Sequence, residues 1–221
     1  METERKWVVV RINGKIAAIS DDYKALARIS TRLSESPNPK KKTANLEFKE
    51  IKATVEDFES IWDIKNSLKW EDLLLFGTEF QKKVWKKLWE LSHPGIYEKS
   101  SEDRECQELC DSNDAGHPAE AGPRLMSYSD FAELCNNKAG VRAVAHAIGL
   151  NPVAVVIPCH LVIPKESIDR IREIRRKAES TIFKGDDLCM ESILSDPAID
   201  FGNYALGRDL KRTLISRELF G

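Results

Sequence analysis

Two short apolar runs near the start of the chain are separated by a dipeptide that is typical of tight turns. Residues 7–12 and 15–19 are rich in apolar and β-branched side chains, and Asn13-Gly14 lies between them. Asn-Gly favours the positive-φ turn that joins two right-twisted antiparallel strands. We therefore predict a β-hairpin.

Helical and extended patterns then alternate as far as residue 68. Leu26, Ile29 and Leu33 share one face of a helix that Asp21 or Asp22 could cap. Prolines and lysines between residues 36 and 42 end that pattern. Residues 46–55 predict another strand and residues 55–68 a further helix. This first part is predicted to be a small α/β unit, and it carries no motif with recognisable chemistry.

A stronger helical signal follows Gly77. Thr78 can cap the helix, and Gln81 can complete a capping box three residues later. The predicted buried face consists of Phe80, Val84, Leu88 and Leu91. Lysines occupy much of the opposite face: Lys82, Lys83, Lys86 and Lys87. These lysines are either a solvated surface or a contact with a DNA backbone.

Residues 127–150 predict two short helices joined by a tight turn. Ser127 can cap the first, in which Phe131 and Leu134 are expected to face inward. Asn136-Asn137 supplies the break, and residues 138–148 form the second helix. Gly149 is expected to end it in the left-handed conformation. Helix, turn and helix is an arrangement found in DNA-reading units, although many helical hairpins do not bind DNA.

The remaining part of the chain predicts one extended segment and two helices. The β-branched run 153–157 is expected to be a strand that Pro158 ends just before Cys159. Residues 168–177 have helical spacing and five basic side chains, which would either follow a phosphate backbone or be balanced by the acidic stretch 186–200. A last helix is predicted to run through Leu210 and Leu214 to Glu218.

Composition narrows the functional classes. The 221 residues are 42% hydrophobic with a formal net charge of −2, so any nucleic-acid surface must be local. No stretch approaches the roughly 20 apolar residues of a membrane span, and the N-terminus lacks the apolar core of a signal peptide. Five irregularly spaced cysteines suit a reducing compartment. We therefore expect a cytoplasmic protein that does not associate with membranes.

The polar, acidic stretch 96–122 is predicted to be a mobile loop. Its Cys106, Cys110 and His117 suggest a zinc site, but the spacing differs from common zinc motifs and a fourth ligand is not evident. The preferred interpretation is a pair of solvated cysteines and no bound metal.

Short blocks from residue 77 onward resemble the O6-alkylguanine-DNA alkyltransferases, the methylated-DNA–protein-cysteine methyltransferases. The blocks are residues 77–85, Ser127-Tyr128, Arg142-Ala143-Val144, Asn151-Pro152, Ile157-Pro158-Cys159-His160, and Gly202-Asn203-Tyr204 with Gly207, Lys211 and Glu218. The Pro-Cys-His core, combined with the upstream Asn-Pro and Arg-Ala-Val, is the specific part.

The resemblance implies an α+β protein with two domains. A small α/β, ribonuclease-H-like domain would span residues 1–72, and a mainly helical winged helix-turn-helix domain would span residues 73–221. Insertions would lie at about 96–125 and 164–200. The implied activity is DNA repair on double-stranded DNA, in which an alkyl group moves irreversibly from O6-alkylguanine, and in some relatives O4-alkylthymine, to a cysteine. A monomer without a cofactor is implied.

By the same resemblance, Cys159 is the alkyl acceptor. A soft thiolate displaces an sp³ carbon from oxygen well, but the thiol must first ionise. On an extended backbone Cys159 and His160 would point apart, so the resemblance assigns proton transfer to a bridging water, with Glu218 orienting the imidazole. Asn151 would tie the second helix to the active-site strand. Tyr204 would donate a hydrogen bond to O6 in the substrate pocket.

The DNA contacts implied by the resemblance come from the helical pair. Arg142, beside Ala143, would fill the gap left by a flipped nucleotide. Tyr128 would press on the adjacent phosphate. Backbone carbonyls of Cys159 and Val162 would accept the guanine amine.

Three departures from the family pattern stand out. Leu161 occupies the place of an arginine, Ala205 replaces a serine or glycine, and the stretch from Cys159 to Tyr204 is unusually long. A lesion-binding protein without transfer is therefore an alternative, although retention of Cys159 and Glu218 argues against it. A Cys-His hydrolase is a poorer alternative, because no oxyanion or substrate cleft signal is apparent.

Overall fold

Three antiparallel strands form a sheet in the order β2–β1–β3. The structure is a computed structural model that describes residues 5–21, 50–93, 125–181 and 193–220. The strands are β1 (Trp7–Ile12), β2 (Lys15–Ser20) and β3 (Ile51–Glu56). Asn13 and Gly14 have φ of 51° and 80°, which is the positive-φ turn that the sequence predicts. The hairpin is confirmed. The predicted strand at 46–55 is described only from residue 51 onward, and the helix predicted after Asp21 lies outside the described residues.

Helix α1 (Phe58–Ser67) lies next to the sheet. Asp57 caps it by accepting a hydrogen bond from the Ser60 amide at 2.8 Å, so the helix begins three residues later than predicted. Ile61 and Lys65 are its buried side chains. They are four residues apart and therefore share a face.

Helix α2 (Glu79–Ser92) begins at the predicted capping box between Thr78 and Gln81. Its buried residues are Val84, Trp85, Leu88 and Trp89. Phe80 was predicted to be buried but is 38% exposed, because the buried face is centred on the later turns. The Trp85 indole donates a hydrogen bond to the Ala147 carbonyl at 2.8 Å, and this contact joins α2 to the helical pair.

The helical pair consists of α3 (Tyr128–Leu134) and α4 (Val141–Gly149). Ser127 caps α3 as predicted, and Asn136 makes the break with φ of 53°. Two predictions were wrong. Leu134 is 38% exposed because it lies in the last turn of a short helix. Gly149 remains helical, and Leu150 ends α4 with φ of −95°, so no left-handed residue is needed.

The predicted strand at 153–157 is a compact turn. Val155 has φ of 70°, and the Ile157 amide donates to the Val153 carbonyl at 3.0 Å. The turn also reaches the N-terminal sheet, since the Ile19 amide donates to the Pro152 carbonyl at 3.0 Å. Hydrogen bonding to β2 therefore determines the backbone path of this segment, despite the preference of its β-branched residues for a strand.

Helix α5 (Lys165–Thr181) confirms the helix predicted at 168–177 and extends it at both ends. Arg170 pairs with Asp196 at 3.0 Å, which agrees with a surface helix balanced by acidic residues. Helix α6 (Arg208–Phe220) closes the described chain. Two-residue strands β4 (Met126–Ser127) and β5 (Val162–Ile163) pair in parallel. A separate apolar cluster joins α5 to α6: Ile163, Ile168, Ile171, Ile193, Leu194, Ile199, Phe201 and Ile215.

The main core connects the sheet to the helices of the second half. Its members include Trp7, Val9, Ile61, Trp85, Val144, Val156 and Leu214. Cys159 belongs to the same cluster. In the described ranges, none of the helices is both long and apolar enough to cross a membrane.

Replacing Trp85 by Phe should reduce the free energy of unfolding by about 2 kcal/mol, because the Ala147 carbonyl loses a buried donor and a void forms. Urea denaturation measures this change. Phe80→Leu on the same helix is the matched control and should cost less than about 0.5 kcal/mol. Equal losses in the two variants would contradict the account of how α2 packs.

Candidate functional site

A cavity of about 180 Å³ opens where the end of β2, the end of α4 and the loop before α6 meet. Cys159 lies in its wall and is 8% exposed. The other lining residues are Ile19, Ser20, Tyr128, Ala145, Ile148, Gly149, Leu150, Asn151, Pro152, Ala154, Asn203, Tyr204, Ala205, Leu206 and Lys211. The N-terminal hairpin therefore contributes to a cavity that the motifs of the second half predicted.

Cys159 begins a single 3₁₀ turn, Cys159–Leu161. An extended backbone was predicted here, and that prediction was wrong. The Leu161 amide donates a hydrogen bond to the Pro158 carbonyl at 3.0 Å, which closes the turn. Asn151 donates from Nδ2 to the Ile157 carbonyl at 2.9 Å and to Cys159 Sγ at 3.2 Å. Its Oδ1 accepts from the Val153 amide at 3.0 Å. Asn151 is thus fixed on both sides and directs one N–H at the sulfur.

Burial raises the pKa of the Cys159 thiol, since a thiolate is poorly solvated there. The hydrogen bond from Asn151, the charge of Lys211 and the Tyr204 hydroxyl act in the opposite direction. Cys159 Sγ lies 3.9 Å from the Tyr204 oxygen. Burial, followed by the nearby sulfur, raises the pKa of Tyr204 well above its ordinary value, so its hydroxyl remains protonated. The resting site therefore holds a thiol beside groups that would stabilise a thiolate.

His160 is completely buried and points away from the cavity side of the turn toward α6. Its Nε2 lies 2.9 Å from Glu218 Oε1. Burial lowers the pKa of His160 despite the opposing effect of Glu218. Because a carboxylate can only accept, Nε2 carries the proton and Nδ1 has the free lone pair. Nδ1 is buried and has no hydrogen-bond partner among the described residues.

Burial opposes ionisation of Glu218, yet the hydrogen bond from His160 and the positive charge of Lys65 hold the pKa of Glu218 below its ordinary value. Lys65 Nζ, from α1, contacts the same Oε1 atom that accepts from His160. Lys65 belongs to no motif and was not predicted as a site residue. Its only signal was a position four residues after Ile61 on the apolar face of a predicted helix.

Lys211 also lies at the site, with only 1% of its surface exposed. It donates to the carbonyls of Val162 and Phe201, both at 2.7 Å. The rings of Tyr204 and Tyr128 lie 5.8 and 5.9 Å from its ammonium group. Burial lowers the pKa of Lys211 to about 8. Lys211 matches the family pattern, but no feature of the sequence around it indicates a role.

The structure brings together most of the residues selected from the sequence. Cys159, Asn151, Tyr204 and Tyr128 line the cavity, and His160 and Glu218 lie behind it. The Val162 carbonyl accepts from Lys211, and the Cys159 carbonyl accepts from the Val162 amide. Since a carbonyl oxygen has two lone pairs, each can accept a second donor.

Arg142 and Ala143 lie elsewhere, on the exposed surface at the start of α4. The other end of the same helix borders the cavity through Ala145, Ile148 and Gly149. No cluster of three or more potential metal ligands occurs in the described part of the chain. Cys106, Cys110 and His117 lie outside it.

Chemically, the arrangement provides a nucleophile, an acceptor for its proton and a hydroxyl donor that faces the same space. The candidate nucleophile is Cys159, the candidate acceptor is His160 and the candidate donor is Tyr204. This combination is suited to covalent transfer of a small group onto sulfur.

Segments of this chain are similar to known proteins. The family profile that matches residues 122–179 is described as the DNA-binding domain of 6-O-methylguanine DNA methyltransferase. A probable methylated-DNA–protein-cysteine methyltransferase of Acanthamoeba polyphaga mimivirus is 35% identical over 43% of this chain and 45% of its own. The inducible methylated-DNA–protein-cysteine methyltransferase of Bacillus subtilis is 55% identical over 19% of this chain and 24% of its own.

Among solved structures, the OGT of Mycobacterium tuberculosis in complex with DNA is 25% identical. That match covers 49% of this chain and 52% of the other, with a TM-score of 0.30. The chain spans less than half the length of the two curated relatives. Residues 122–179 of this mixed α and β protein are therefore similar to the DNA-binding domain of 6-O-methylguanine DNA methyltransferase.

Proposed function

We propose that this protein repairs DNA by transferring the alkyl group of O6-alkylguanine to Cys159, once per molecule. The observation that carries the proposal is the convergence on one buried sulfur. Asn151 donates to Sγ at 3.2 Å, Tyr204 lies 3.9 Å away, and the pair of His160 and Glu218 lies directly behind. Relatives with matching segments are named methylated-DNA–protein-cysteine methyltransferases, which supports the same activity here.

The reaction begins with ionisation of the thiol. The proton of Cys159 would pass through a bridging water to the free Nδ1 of His160, while Glu218 accepts from Nε2. Sγ then forms a bond to the alkyl carbon, and the bond from that carbon to O6 breaks. The Tyr204 hydroxyl donates a hydrogen bond to O6 as negative charge develops, and the proton held by His160 is then transferred to the dealkylated guanine, which remains in the DNA. The product is a thioether, which thiols do not exchange, so Cys159 is not regenerated.

The DNA partner would be double-stranded, with the damaged nucleotide rotated into the cavity. Arg142 is exposed at the start of α4, where its guanidinium can occupy the place of the flipped base. Ala143 beside it would allow close approach to the groove, and Tyr128, at the start of α3, would contact the neighbouring phosphate. Carbonyls of Cys159 and Val162 would accept the guanine amine. A monomer would suffice, because every group named comes from one chain.

The domain plan is also a proposal. Residues 1–72 would form a ribonuclease-H-like domain, for which the described support is the antiparallel sheet and α1. Residues 73–221 would form a winged helix-turn-helix domain. Its support is the pair α3 and α4, together with the two short strands β4 and β5.

A lesion-binding protein without transfer is the second candidate. Two observations favour it: burial raises the pKa of the Cys159 thiol, and Leu161 is fully buried where relatives in the resemblance carry arginine. Such a protein would retain the DNA surface and lack the chemistry.

Incubation with duplex DNA containing O6-methylguanine should increase the intact mass of the protein by one methyl group. Cys159→Ala should show no increase, whereas Cys135→Ala, which alters a half-buried cysteine outside the cavity lining, should react like the unchanged protein. Intact-protein mass spectrometry measures the result. Tight binding to the lesion without a change in mass would favour the second candidate.

Asn151→Asp should slow methyl transfer at pH 7 by at least about tenfold, because a carboxylate replaces a donor beside Sγ and raises the thiol pKa by about one unit. The same charge change at Asn13→Asp, in the distant hairpin turn, should leave the rate unchanged. Single-turnover rates from pH 6 to 10 provide the comparison. The account predicts that the Asn151→Asp rate recovers as pH rises, and a loss independent of pH would contradict it.

Arg142→Ala should slow transfer from duplex O6-methylguanine by about 10- to 100-fold, since nucleotide flipping costs a few kcal/mol that the side chain partly offsets. Transfer from free O6-benzylguanine should be nearly unchanged, because the free base needs no flipping. Parallel rate measurements with the two substrates provide the test. Equal losses would show that Arg142 acts on the cavity instead.

A further inference from the structure

We propose that Lys65, in the N-terminal unit, is a positioning residue for transfer: it fixes the Glu218 carboxylate and keeps His160 neutral and able to accept the Cys159 proton. This inference rests on the proposed function and extends it to a residue that lies in none of the family-like motif blocks of the sequence. The matched DNA-binding segment begins only at residue 122.

The contacts place Lys65 at the far end of a buried chain of groups. Its side chain and that of Glu218 are each 4% exposed, and that of His160 is 0% exposed. One atom, Glu218 Oε1, accepts from Lys65 Nζ and from His160 Nε2. Lys65 therefore influences the imidazole through a single shared oxygen.

Docking of α1 on α6 does not require a buried lysine. Arg217 already pairs with Glu59 at 2.7 Å and packs its guanidinium over the rings of Phe58 and Trp62, at 5.1 and 4.8 Å. Burying an ammonium group carries a large desolvation cost, and a buried ion pair is often no more stabilising than apolar residues in place of both partners. The position of Lys65 is therefore better explained by its charge than by packing.

The turn that carries His160 supplies no cation of its own. Leu161 is fully buried at the position where the family pattern has arginine. Lys65 provides a positive charge to the Glu218 carboxylate, which His160 contacts, from a different part of the chain. We interpret Lys65 as the counter-charge that the Leu161 site lacks.

The groups around His160 determine the direction in which loss of the Lys65 charge changes the pKa of the imidazole. Burial has the largest effect and lowers the pKa of the imidazole. Glu218 raises this pKa, while Lys65 and Lys211 lower it. His93 is the other titratable group affected by Lys65 and Glu218, and its pKa is lowered mainly by burial. Cys159 precedes His160 on the same turn. Removing the charge of Lys65 leaves Glu218 unbalanced, so imidazolium becomes more favourable.

Protonated His160 cannot accept the thiol proton. In a variant that lacks the Lys65 charge, the acid limb of the transfer rate should therefore move to higher pH, by about one pH unit. Transfer should be slowed most near neutral pH and should recover at higher pH. Loosened packing alone would lower the rate without moving the midpoint of the profile.

The experiment compares Lys65→Gln, which keeps a hydrogen-bond donor without the charge, with Lys65→Met and with Lys65→Arg, which keeps the charge. Ile61→Val, one turn earlier on the same buried face, controls for loosened packing. The measurements are the His160 pKa, from NMR titration of labelled histidine, and the pH profile of single-turnover transfer from an O6-methylguanine duplex. The NMR titration does not depend on activity.

An upward shift of the His160 pKa and of the acid limb in Lys65→Gln or Lys65→Met, with neither shift in Lys65→Arg or Ile61→Val, supports the proposal. Coincident profiles in all variants, or the same shift in Lys65→Arg or Ile61→Val, overturn it. If Lys65→Met does not fold, the comparison of Lys65→Gln with Lys65→Arg tests the proposal. Absence of transfer in the unaltered protein would overturn the proposed function instead, and the NMR result would still show whether Lys65 controls His160.

Discussion

The buried carboxylate of Glu218 is the interaction on which the site depends. It accepts from His160 on the turn that carries Cys159 and from Lys65 on α1. A carboxylate removed from water is stable only when it is paired and hydrogen-bonded, so α6, α1 and the reactive turn must be assembled together. The N-terminal unit thus contributes a direct contact to the buried pair of His160 and Glu218. The hairpin adds a second connection, since Ile19 lines the cavity and exchanges backbone hydrogen bonds with the segment before Cys159.

Two requirements on Cys159 oppose each other. Shielding the sulfur from water protects it from oxidants and other electrophiles, but the same burial raises the pKa of the thiol. The structure offsets part of this cost with fixed groups: the Asn151 N–H, the Lys211 ammonium and the Tyr204 hydroxyl. Asn151 can serve because its own carbonyl oxygen is held by the Val153 amide. A donor that is already oriented costs no reorganisation when the thiolate forms.

Features determined by neighbouring residues could be predicted from the sequence, and those determined by distant contacts could not. The Asn13-Gly14 turn and the cap at Thr78 depend on local chemistry, and both were correct. The strand prediction for residues 153–157 was wrong because hydrogen bonds to β2, which is distant in sequence, determine the backbone path of this segment. Family resemblance identified the site residues Asn151, His160 and Glu218. Without that resemblance, the sequence around Cys159 would predict a buried hydrophobic residue. Lys65 carries no motif, and only its contact with Glu218 reveals it.

The central claim is that one sulfur accepts one alkyl group and is then spent. The most direct measurement mixes the protein with a large excess of duplex carrying O6-methylguanine whose methyl group is deuterated, and follows label per protein and its position by peptide mapping. Labelling is expected to stop at one methyl group per molecule, entirely on Cys159. Continued release of repaired DNA beyond one equivalent, or label on any other residue, would contradict it.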